Sequence, residues 1–403
     1  MTPAQADGGL PVGEIRVIEL GTGWFAEKPG GLERVFYGLI RCLGAFGVRA
    51  RGLVVGSSAV EGLSGGQVRG FAPAGAPLPI RWLRLRRALR ERLAEEPPDL
   101  VSAHFALYAF PVLDIVRSKP LVVHFHGSWA LESEVEASPG FRSRLSVQLK
   151  WILERFVYRR AVRFIVLSEA FKRVLHETYG VSEANIEIIP GGIDTAAYAT
   201  GLSVPEARAA LGWPENRKVV LTVRRLVKRQ GLENLVSAVA ELRAEHPDLL
   251  LYIAGTGPLK ETLEAQVETL GLTEHVQLLG FVPDDKLALT YAAADFSVVP
   301  TLAHEGFGLI TAESLAAGTP VLVTPVGGLP EVVAGLSSDL VLKGSDLQSL
   351  VTGIRGVLSG TLELPSRAAC QRYAQGSFDY QTVATRTSEL YKKVVAEVKA
   401  KRS

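Results

Sequence analysis

The sequence has few of the residues that build disulfide frameworks or metal cages. Its 403 residues include two cysteines, Cys42 and Cys370, which are too few for either. We expect both to be buried as small hydrophobic side chains in a reducing compartment. No D-x-D motif is present, and no group of histidine, cysteine and aspartate has metal-site spacing. The sequence therefore predicts neither a bound metal nor another cofactor.

Long apolar runs are absent as well. No stretch reaches the roughly 18 apolar residues that a membrane-spanning helix needs. The segment from Met1 to Gly13 has neither a basic start nor an apolar run, so we do not expect it to be a signal peptide. A formal net charge of +2 is too small to indicate nucleic acid as a partner. These absences favour a cytoplasmic location.

Short β-rich runs alternate with longer amphipathic segments along the chain. Such alternation predicts parallel sheets, and the strands are too many for one doubly wound sheet. The hydrophobic content of 47% is enough for a core in each of two domains. The predicted strands are 17–20, 53–55, 100–103, 121–125, 163–167 and 186–189 in the first half, and 219–223, 249–254, 276–279, 296–299 and 320–324 in the second.

The pattern therefore predicts an α/β fold with two facing Rossmann-like domains. The periodicity lapses after the segment 190–194, which places the first domain at 1–195 and the second at 196–377. Ligands of doubly wound sheets bind beyond the carboxyl ends of the strands. We accordingly expect a deep cleft between the two domains.

The most informative segment is 304–324. Glu305 and Glu313 have seven residues between them, and a helix is predicted to begin near Gly308. Glu305 then lies in the loop before the helix, and Glu313 lies inside it. Gly306 and Gly308 allow close approach of the backbone to a ligand, and the helix N-terminus offers N–H groups to anionic oxygens. The alternative is one first-turn glutamate that complements the helix dipole together with one solvated glutamate.

Four cations follow the predicted strand 219–223, just before the next helix. They are Arg224, Arg225, Lys228 and Arg229. Cations in front of a helix N-terminus form an anion site for more than one charge, and a diphosphate fits such a site. A basic surface loop without a ligand is the alternative.

Histidines follow two strands of the first half. His126 comes directly after the strand 121–125, at the sheet edge where ligands bind. A functional and a structural role are equally supported for His126. His104 follows the strand 100–103, and we favour a structural role for it.

Glycines mark three further turns. Gly30 and Gly31 open a helix, and they either face a diphosphate or form a plain turn. The segment 255–259 follows another strand, and it either shapes a nucleotide pocket or only turns the chain. Gly21 and Gly23 loosely match a dinucleotide-binding motif, which keeps an NAD-dependent oxidoreductase open. No acidic residue ends the next strand, where that motif would place one.

The segment from Arg81 to Glu96 has the pattern of a basic amphipathic helix with six arginines. Its apolar residues share one face. That face either packs on the first domain, which we favour, or supports contact with an anionic membrane. The two roles are compatible.

Together these motifs resemble glycosyltransferase family 4, whose members have the GT-B fold. The resemblance extends from about Ile15 to Lys392 and includes the segments 29–31, 126–127, 190–194, 225–231, 255–259 and 305–313. It implies a retaining, metal-independent enzyme that moves a hexosyl group from a UDP-sugar or GDP-mannose to a hydroxyl acceptor. Glycans, glycolipids and small-molecule glycosides are all open as acceptors. It also implies that a terminal helix, 378–403, packs back on the first domain.

The resemblance further implies residue roles. Arg225 binds the donor diphosphate, Glu305 meets the donor sugar, and His126 lies beside that sugar. Glu313 meets the nucleotide ribose. The expected donor-binding residues are Gly30, Gly31, Arg229, Gly255, Gly257, Phe307, Gly308, Leu309 and Glu313.

Two positions depart from the family pattern. Arg224 occupies the usual place of a glycine, and Gln230 that of a lysine. We predict that Arg229, with Lys228 next, supplies the missing positive charge. A non-catalytic nucleotide-sugar-binding protein remains a further alternative to an enzyme.

Overall fold

The computed structural model describes residues 14–28, 30–136 and 140–401. The expectations for Met1 to Gly13 and for Pro29 lie outside these residues. The chain forms two compact units. One contains the described parts of Met1–Val166, Leu175–Ile189 and Val383–Ser403, and the other contains Leu167–Val174 and Pro190–Thr382.

The first unit is built on a seven-stranded parallel sheet. Its strands are β1 (Ile15–Leu20), β2 (Val48–Val55), β3 (Val68–Ala72), β4 (Leu100–Ala103), β5 (Leu121–Phe125), β6 (Arg163–Val166) and β7 (Ile186–Ile188). They lie in the order β3-β2-β1-β4-β5-β6-β7. The order reverses between β1 and β4, and ligands of doubly wound sheets bind at such a reversal.

The second unit repeats this topology with five parallel strands. They are β8 (Lys218–Val223), β9 (Leu249–Ala254), β10 (Val276–Gly280), β11 (Phe296–Val299) and β12 (Val321–Val323). Their order is β10-β9-β8-β11-β12, so the reversal lies between β8 and β11. Every residue of β9 is buried, as expected for a parallel strand covered on both faces.

Helices connect the strands. Those before residue 190 are α1 (Gly31–Cys42), α2 (Ala59–Leu63), α3 (Leu78–Glu95), α4 (Ala106–Ala109), α5 (Trp129–Glu136), α6 (Phe141–Arg160) and α7 (Glu169–Tyr179). The later ones are α8 (Thr195–Tyr198), α9 (Val204–Leu211), α10 (Leu232–Leu242), α11 (Lys260–Thr269), α12 (Asp284–Ala292), α13 (Leu309–Ala316), α14 (Leu329–Val333), α15 (Leu347–Leu358), α16 (Arg367–Phe378) and α17 (Tyr380–Ala400). Short 3₁₀ segments cover Leu43–Phe46, Phe110–Val112, Glu183–Asn185, Lys228–Gln230 and Ser338–Leu340.

The predicted α/β class with two Rossmann-like units is confirmed. Four strands, β4, β5, β9 and β11, have the bounds that the apolar runs predict. The prediction for β2 was too short, because Arg49 and Arg51 interrupt the apolar pattern of a strand that begins at Val48. The apolar runs did not predict β3, because a glycine and an arginine interrupt its apolar pattern. No helix within the described residues is long and apolar enough to cross a bilayer.

Candidate active site

The reversal between β8 and β11 brings two charged loops to one edge of the second sheet. β8 and β11 are hydrogen-bonded neighbours, with Phe296 opposite Val220. The basic loop follows β8, and the Glu305 loop follows β11. Gly231, with φ of +69°, lets the two loops meet, because a Cβ there would overlap the carbonyl oxygen of Pro300. Topology thus explains why segments far apart in sequence form one site.

Arg224 and Glu305 form an ion pair at this edge. Nη2 of Arg224 lies 2.5 Å from Oε2 of Glu305 and 2.5 Å from Oγ1 of Thr301. The Arg224 side chain is 6% exposed and that of Glu305 15%. A largely buried pair of this kind holds both partners in place, because removing one leaves the other charge without its counterion.

Arg225 differs from its neighbour, because its side chain is exposed to solvent. The loop backbone is nevertheless fixed. Leu226 is buried, and its N–H donates to the carbonyl of Thr256 at 3.0 Å. Arg225 is therefore a cation on an anchored loop, which suits it to bind an anionic ligand.

The residues at and before Gln230 have three different environments. Gln230 is buried, and its Oε1 accepts a hydrogen bond from the Thr301 hydroxyl at 3.3 Å. Arg229 donates from Nη1 to the carbonyl of His304 at 2.7 Å, and Lys228 is exposed. Because Thr301 contacts both Gln230 and Arg224, Arg224 is a further candidate for the missing charge, beside Arg229 and Lys228.

The Glu305 loop leads directly into α13, as predicted. His304 has a φ of +53°, which is uncommon for a non-glycine residue. Gly308, at φ +78°, is the N-cap of α13. Phe307 is buried, so its side chain anchors the turn whose backbone N–H groups start the helix. Leu309 is the first helical residue.

Glu313 lies inside α13 and is only 3% exposed. Tyr291 donates a hydrogen bond from its hydroxyl to Oε2 of Glu313 at 3.4 Å. The alternative of a solvated glutamate is therefore wrong for this position. A buried carboxylate has to accept hydrogen bonds, and ribose hydroxyls can donate them.

The turn after β9 packs against the basic loop. Gly255, at φ +141°, leaves no room for a Cβ because of the carbonyl oxygen of Arg224. A Cβ on Gly257 would lie 2.5 Å from the carbonyl oxygen of Leu226. These glycines therefore fix the backbone of the basic loop, and their predicted contact with a ligand stays a prediction.

In the first unit, the reversal between β1 and β4 contains a network of buried polar side chains. Nε2 of His126 lies 3.0 Å from Nδ1 of His104, and Nε2 of His104 lies 3.2 Å from Oε2 of Glu19. The Tyr391 hydroxyl lies 2.8 Å from Oε1 of Glu19 and 2.7 Å from Nε2 of His124. The network thus joins β1, β4, β5 and α17 to His126.

The network sets the tautomer of His126. When the Glu19 carboxyl is ionised, it accepts from Nε2–H of His104, so Nδ1 of His104 accepts from Nε2–H of His126. Nδ1 of His126 then remains as an acceptor for a ligand hydroxyl. Burial raises the pKa of Glu19, and protonation of that carboxyl would reverse the direction of the chain.

Burial also keeps the imidazoles neutral. It lowers the pKa of His104 to about 3, and it lowers that of His126 to about 3 with help from His104. By surface exposure, His104 is fully buried but His126 is only half-buried. The fully buried His104 therefore carries no positive charge at neutral pH.

Three histidines of this network also lie close enough to hold a metal ion. One ligand atom each from His104, His124 and His126 lies within 4.8 Å of the others, which sequence spacing did not predict. The rings are stacked nearly parallel, with interplanar angles of 14° to 18°. Metal-bound imidazoles instead direct their lone pairs to one point. We interpret the cluster as a hydrogen-bond network, and metal independence stays a prediction.

The loop after β1 reaches the start of α1. Gly30 is the N-cap of α1, and Gly31 is its exposed first residue. Oε1 of the buried Glu33 accepts hydrogen bonds from Thr22 at 2.8 Å and from Lys28 at 2.6 Å. These bonds fix the glycine turn. Contact of this turn with a diphosphate stays a prediction.

Sequence reasoning missed Glu19 and Tyr391. Glu19 is 1% exposed within the otherwise apolar part of β1, and this isolated glutamate was the available signal. Tyr391 lies on α17, far from the histidines in sequence, so no local pattern could connect it with them.

Comparisons with known proteins agree with this architecture. The family model described as "Glycosyltransferase Family 4" matches residues 29–197, and the model described as "Glycosyl transferases group 1" matches residues 203–377. The two matches correspond to the two halves of the chain.

Individual relatives are enzymes that transfer sugars. The chain is 30% identical over 269 residues to 2-deoxystreptamine glucosyltransferase from Streptomyces kanamyceticus, covering 65% of this chain and 68% of that protein. It is 29% identical over 298 residues to glycogen synthase from Mycobacterium tuberculosis, covering 73% and 68%. Among solved structures, Anabaena HepE in complex with UDP and glucose has a TM-score of 0.75 and 22% identity, covering 94% of this chain and all of HepE.

Proposed function

Because the chain belongs to glycosyltransferase family 4 and has the GT-B fold, we propose that it transfers a hexosyl group from a nucleotide-diphosphate sugar to a hydroxyl acceptor, with retention of the anomeric configuration. One observation supports this most strongly. The β8/β11 edge brings together the exposed Arg225, the carboxylate of Glu305 and the N-terminus of α13.

The proposed donor is a UDP-sugar or GDP-mannose. Its diphosphate gains negative charge as it leaves, and the proposal assigns Arg225 and Arg229 to that charge. A guanidinium can form a bidentate pair with a phosphate, and a helix N-terminus adds N–H donors. Because the arginines supply positive charge without a metal ion, the proposed reaction is metal-independent. The UDP in the HepE complex supports a UDP-sugar as the donor.

Other residues keep the roles that the family implies. Glu305 binds the donor sugar, Glu313 binds the ribose, and the backbone at Phe307, Gly308 and Leu309 contacts sugar and phosphates. Gly255 and Gly257 shape the nucleotide pocket by fixing the basic loop.

The first unit contributes Gly30, Gly31 and His126 in this proposal. The turn at Gly30 and Gly31 would meet the diphosphate. The neutral His126 would lie beside the donor sugar, where Nδ1 can accept a hydrogen bond from a hydroxyl. A neutral imidazole suits this task, because it does not compete for the anionic diphosphate.

The location is proposed to be cytoplasmic, peripheral at the inner face of the membrane, with contact through residues 81–96. The structure confirms that this segment is helical and that Leu85 and Leu89 pack into the core. Leu83 and Arg84 on its outer side are exposed, which supports the additional contact. Within the described residues, Cys42 and Cys370 are not joined by a disulfide, which fits a reducing compartment.

A donor panel tests the proposed reaction. UDP-glucose, GDP-mannose and related donors are incubated with the protein in excess EDTA, with and without mixed glycan and glycolipid acceptors. We expect nucleoside diphosphate release from at least one donor, and a product whose anomeric proton matches the donor's configuration by NMR. Inversion, or a complete loss that Mg²⁺ reverses, would contradict the proposed mechanism.

The same panel separates the alternatives. A non-catalytic binding protein would be stabilised by a donor but would leave it intact. An NAD-dependent oxidoreductase would change nicotinamide absorbance and release no nucleoside diphosphate.

A further inference from the structure

Helix α6 exposes a continuous apolar face. Five large side chains point to solvent at spacings of three and four residues, which places them on one side of a helix. They are Phe141 at 80% exposure, Leu145 at 45%, Leu149 at 58%, Ile152 at 57% and Phe156 at 58%. We call these residues the α6 stripe.

The stripe is not the face by which α6 packs on its own unit. That role belongs to the buried residues Glu154, Val157 and Tyr158. The Glu154 carboxylate accepts hydrogen bonds from the backbone N–H of Trp129 at 2.7 Å and from the Tyr179 hydroxyl at 2.6 Å. A surface helix normally has one apolar stripe, directed to the core. A second one, directed to solvent, indicates a further binding partner.

Positive charge surrounds the stripe. The helix contains six cations, Arg142, Arg144, Lys150, Arg155, Arg159 and Arg160. Its only acidic residue is the buried Glu154. The face directed to solvent therefore combines large apolar side chains with charge of one sign. This combination is typical of helices that lie in the headgroup region of anionic bilayers.

An apolar pocket of about 470 Å³ adjoins the stripe. Leu145 and Leu149 belong to both, and Trp82 of α3 forms part of the opposite wall. Lys150 lies over the ring of Trp129, with its Nζ 4.6 Å from the ring centroid. The pocket enlarges the apolar surface available to acyl chains and places a cation beside it.

We propose that the α6 stripe docks on an anionic phospholipid bilayer, with its apolar side chains among the acyl chains and the flanking arginines on lipid phosphates. This inference rests on the membrane contact within the proposed function and moves its main site from α3 to α6. A second copy of the chain fits less well. Two stripes packed face to face would bring their arginines together, and like charges repel.

Helix α3 is the weaker candidate because more of its surface is already engaged. Leu85 and Leu89 are buried in the core. Arg86 pairs with Asp114 at 2.6 Å, and Arg87 pairs with Glu91 at 2.9 Å. Its remaining exposed residues can support the contact, but they form no comparable apolar stripe.

Vesicle co-sedimentation of the full chain tests the proposal. Vesicles of phosphatidylglycerol with phosphatidylcholine are compared with phosphatidylcholine alone. We expect binding to the anionic vesicles that weakens as salt rises. The double variant Leu149→Ser with Ile152→Ser should bind at least roughly tenfold more weakly. The matched control is Leu63→Ser, which alters an equally exposed leucine on α2 and should bind like the wild type.

A variant that lacks two of the flanking arginines tests the contribution of positive charge to binding. Arg144→Gln with Arg159→Gln should weaken binding roughly 30-fold at low salt, since each cation near an anionic surface contributes about a fivefold factor. Equal binding of wild type and both double variants would overturn the proposal. So would equal binding to neutral vesicles, or a wild-type dimer in sedimentation velocity that the stripe variant converts to monomer.

Donor hydrolysis without vesicles separates this inference from the proposed function. The stripe and charge variants should hydrolyse the donor at the wild-type rate. Wild-type hydrolysis without vesicle binding would reject the docking surface alone. Vesicle binding without hydrolysis of any donor would contradict the proposed reaction and leave the docking surface supported.

Discussion

The two units share one strand topology, but they place different side chains where the strand order reverses. The first unit has a buried hydrogen-bond network there, and the second has arginines and a glutamate. At the β1/β4 reversal, Glu19, His104 and Tyr391 are buried, and the Glu19 carboxyl is hydrogen-bonded to both of the other side chains. At the β8/β11 reversal, Arg225 is exposed, and Arg224 forms an ion pair with Glu305. Chain topology thus determines where a site forms, and residue type determines what it can bind.

The difference follows from solvation. Burial holds the histidines of the first unit neutral, because a charged imidazole is costly in an apolar interior. Such a network suits uncharged hydroxyl groups. The second unit keeps its charges close to solvent or in pairs, so it can hold an anionic ligand without first changing protonation.

The largest effect is expected from Arg225→Ala. It removes the cation that we propose faces the developing charge of the diphosphate, so kcat/KM should fall by roughly 10² to 10³, or about 3–4 kcal/mol. The free energy of unfolding should stay unchanged because the side chain is exposed. Steady-state kinetics and urea denaturation measure both. Wild-type kcat/KM would remove Arg225 from the site.

Arg224→Ala should mainly reduce stability, which distinguishes the neighbouring arginines. It leaves the Glu305 carboxylate largely buried without a counterion, and a loss of about 3 kcal/mol in unfolding free energy is expected. Arg224→Lys should recover part of it. A variant as stable as the wild type would show that Glu305 is solvated in solution and would weaken the contrast between the units.

A smaller effect is expected from Arg229→Ala. If Arg229 replaces the lysine absent at position 230, kcat should fall by up to roughly 10², the lower end of the loss for one preorganised donor, and Gln230→Lys should partly restore it. Arg229 donates to the carbonyl of His304, and Arg224 is the alternative source of charge. Wild-type kcat for both Arg229→Ala and Lys228→Ala would assign the charge to Arg224 and Arg225.

The smallest effect is a pH dependence of stability in the first unit. The pKa of His104 is about 3 in the folded chain and about 6.5 when unfolded. The unfolded state therefore binds more protons between about pH 6.5 and about pH 3, and stability falls as pH falls through that window, by at most about 1.4 kcal/mol per pH unit. Unfolding free energies between pH 7.5 and 5 should show a smaller slope for His104→Gln. Identical slopes would mean that burial does not lower the pKa of His104.

The sequence predicted the fold and the positions of Glu305 and Glu313 relative to α13 well, because both depend on local patterns. Apolar runs define strands such as β9, and the E-x₇-E spacing places Glu305 before α13 and Glu313 within it. Glycine positions also followed local rules. Gly231 and Gly308 both adopt the positive φ that such turns need.

The sequence could not predict contacts between distant segments. Glu19 and Tyr391 are separated by most of the chain, and only the packing of α17 beside β1 joins them. The sequence also could not predict that the α6 stripe is exposed. Periodicity shows which residues share a helix face, but it does not show whether that face meets the core or solvent.

The central claim is that the β8/β11 edge binds a nucleoside diphosphate through Arg225. Calorimetric titration of UDP and GDP into the wild type, Arg225→Ala and Lys218→Ala tests it most directly. Lys218 is exposed at the opposite end of β8, so its removal controls for charge alone. We predict that one nucleotide binds the wild type and Lys218→Ala equally and Arg225→Ala at least roughly tenfold more weakly. Equal affinity for all three proteins, or no binding of either nucleotide to the folded wild type, would contradict the account.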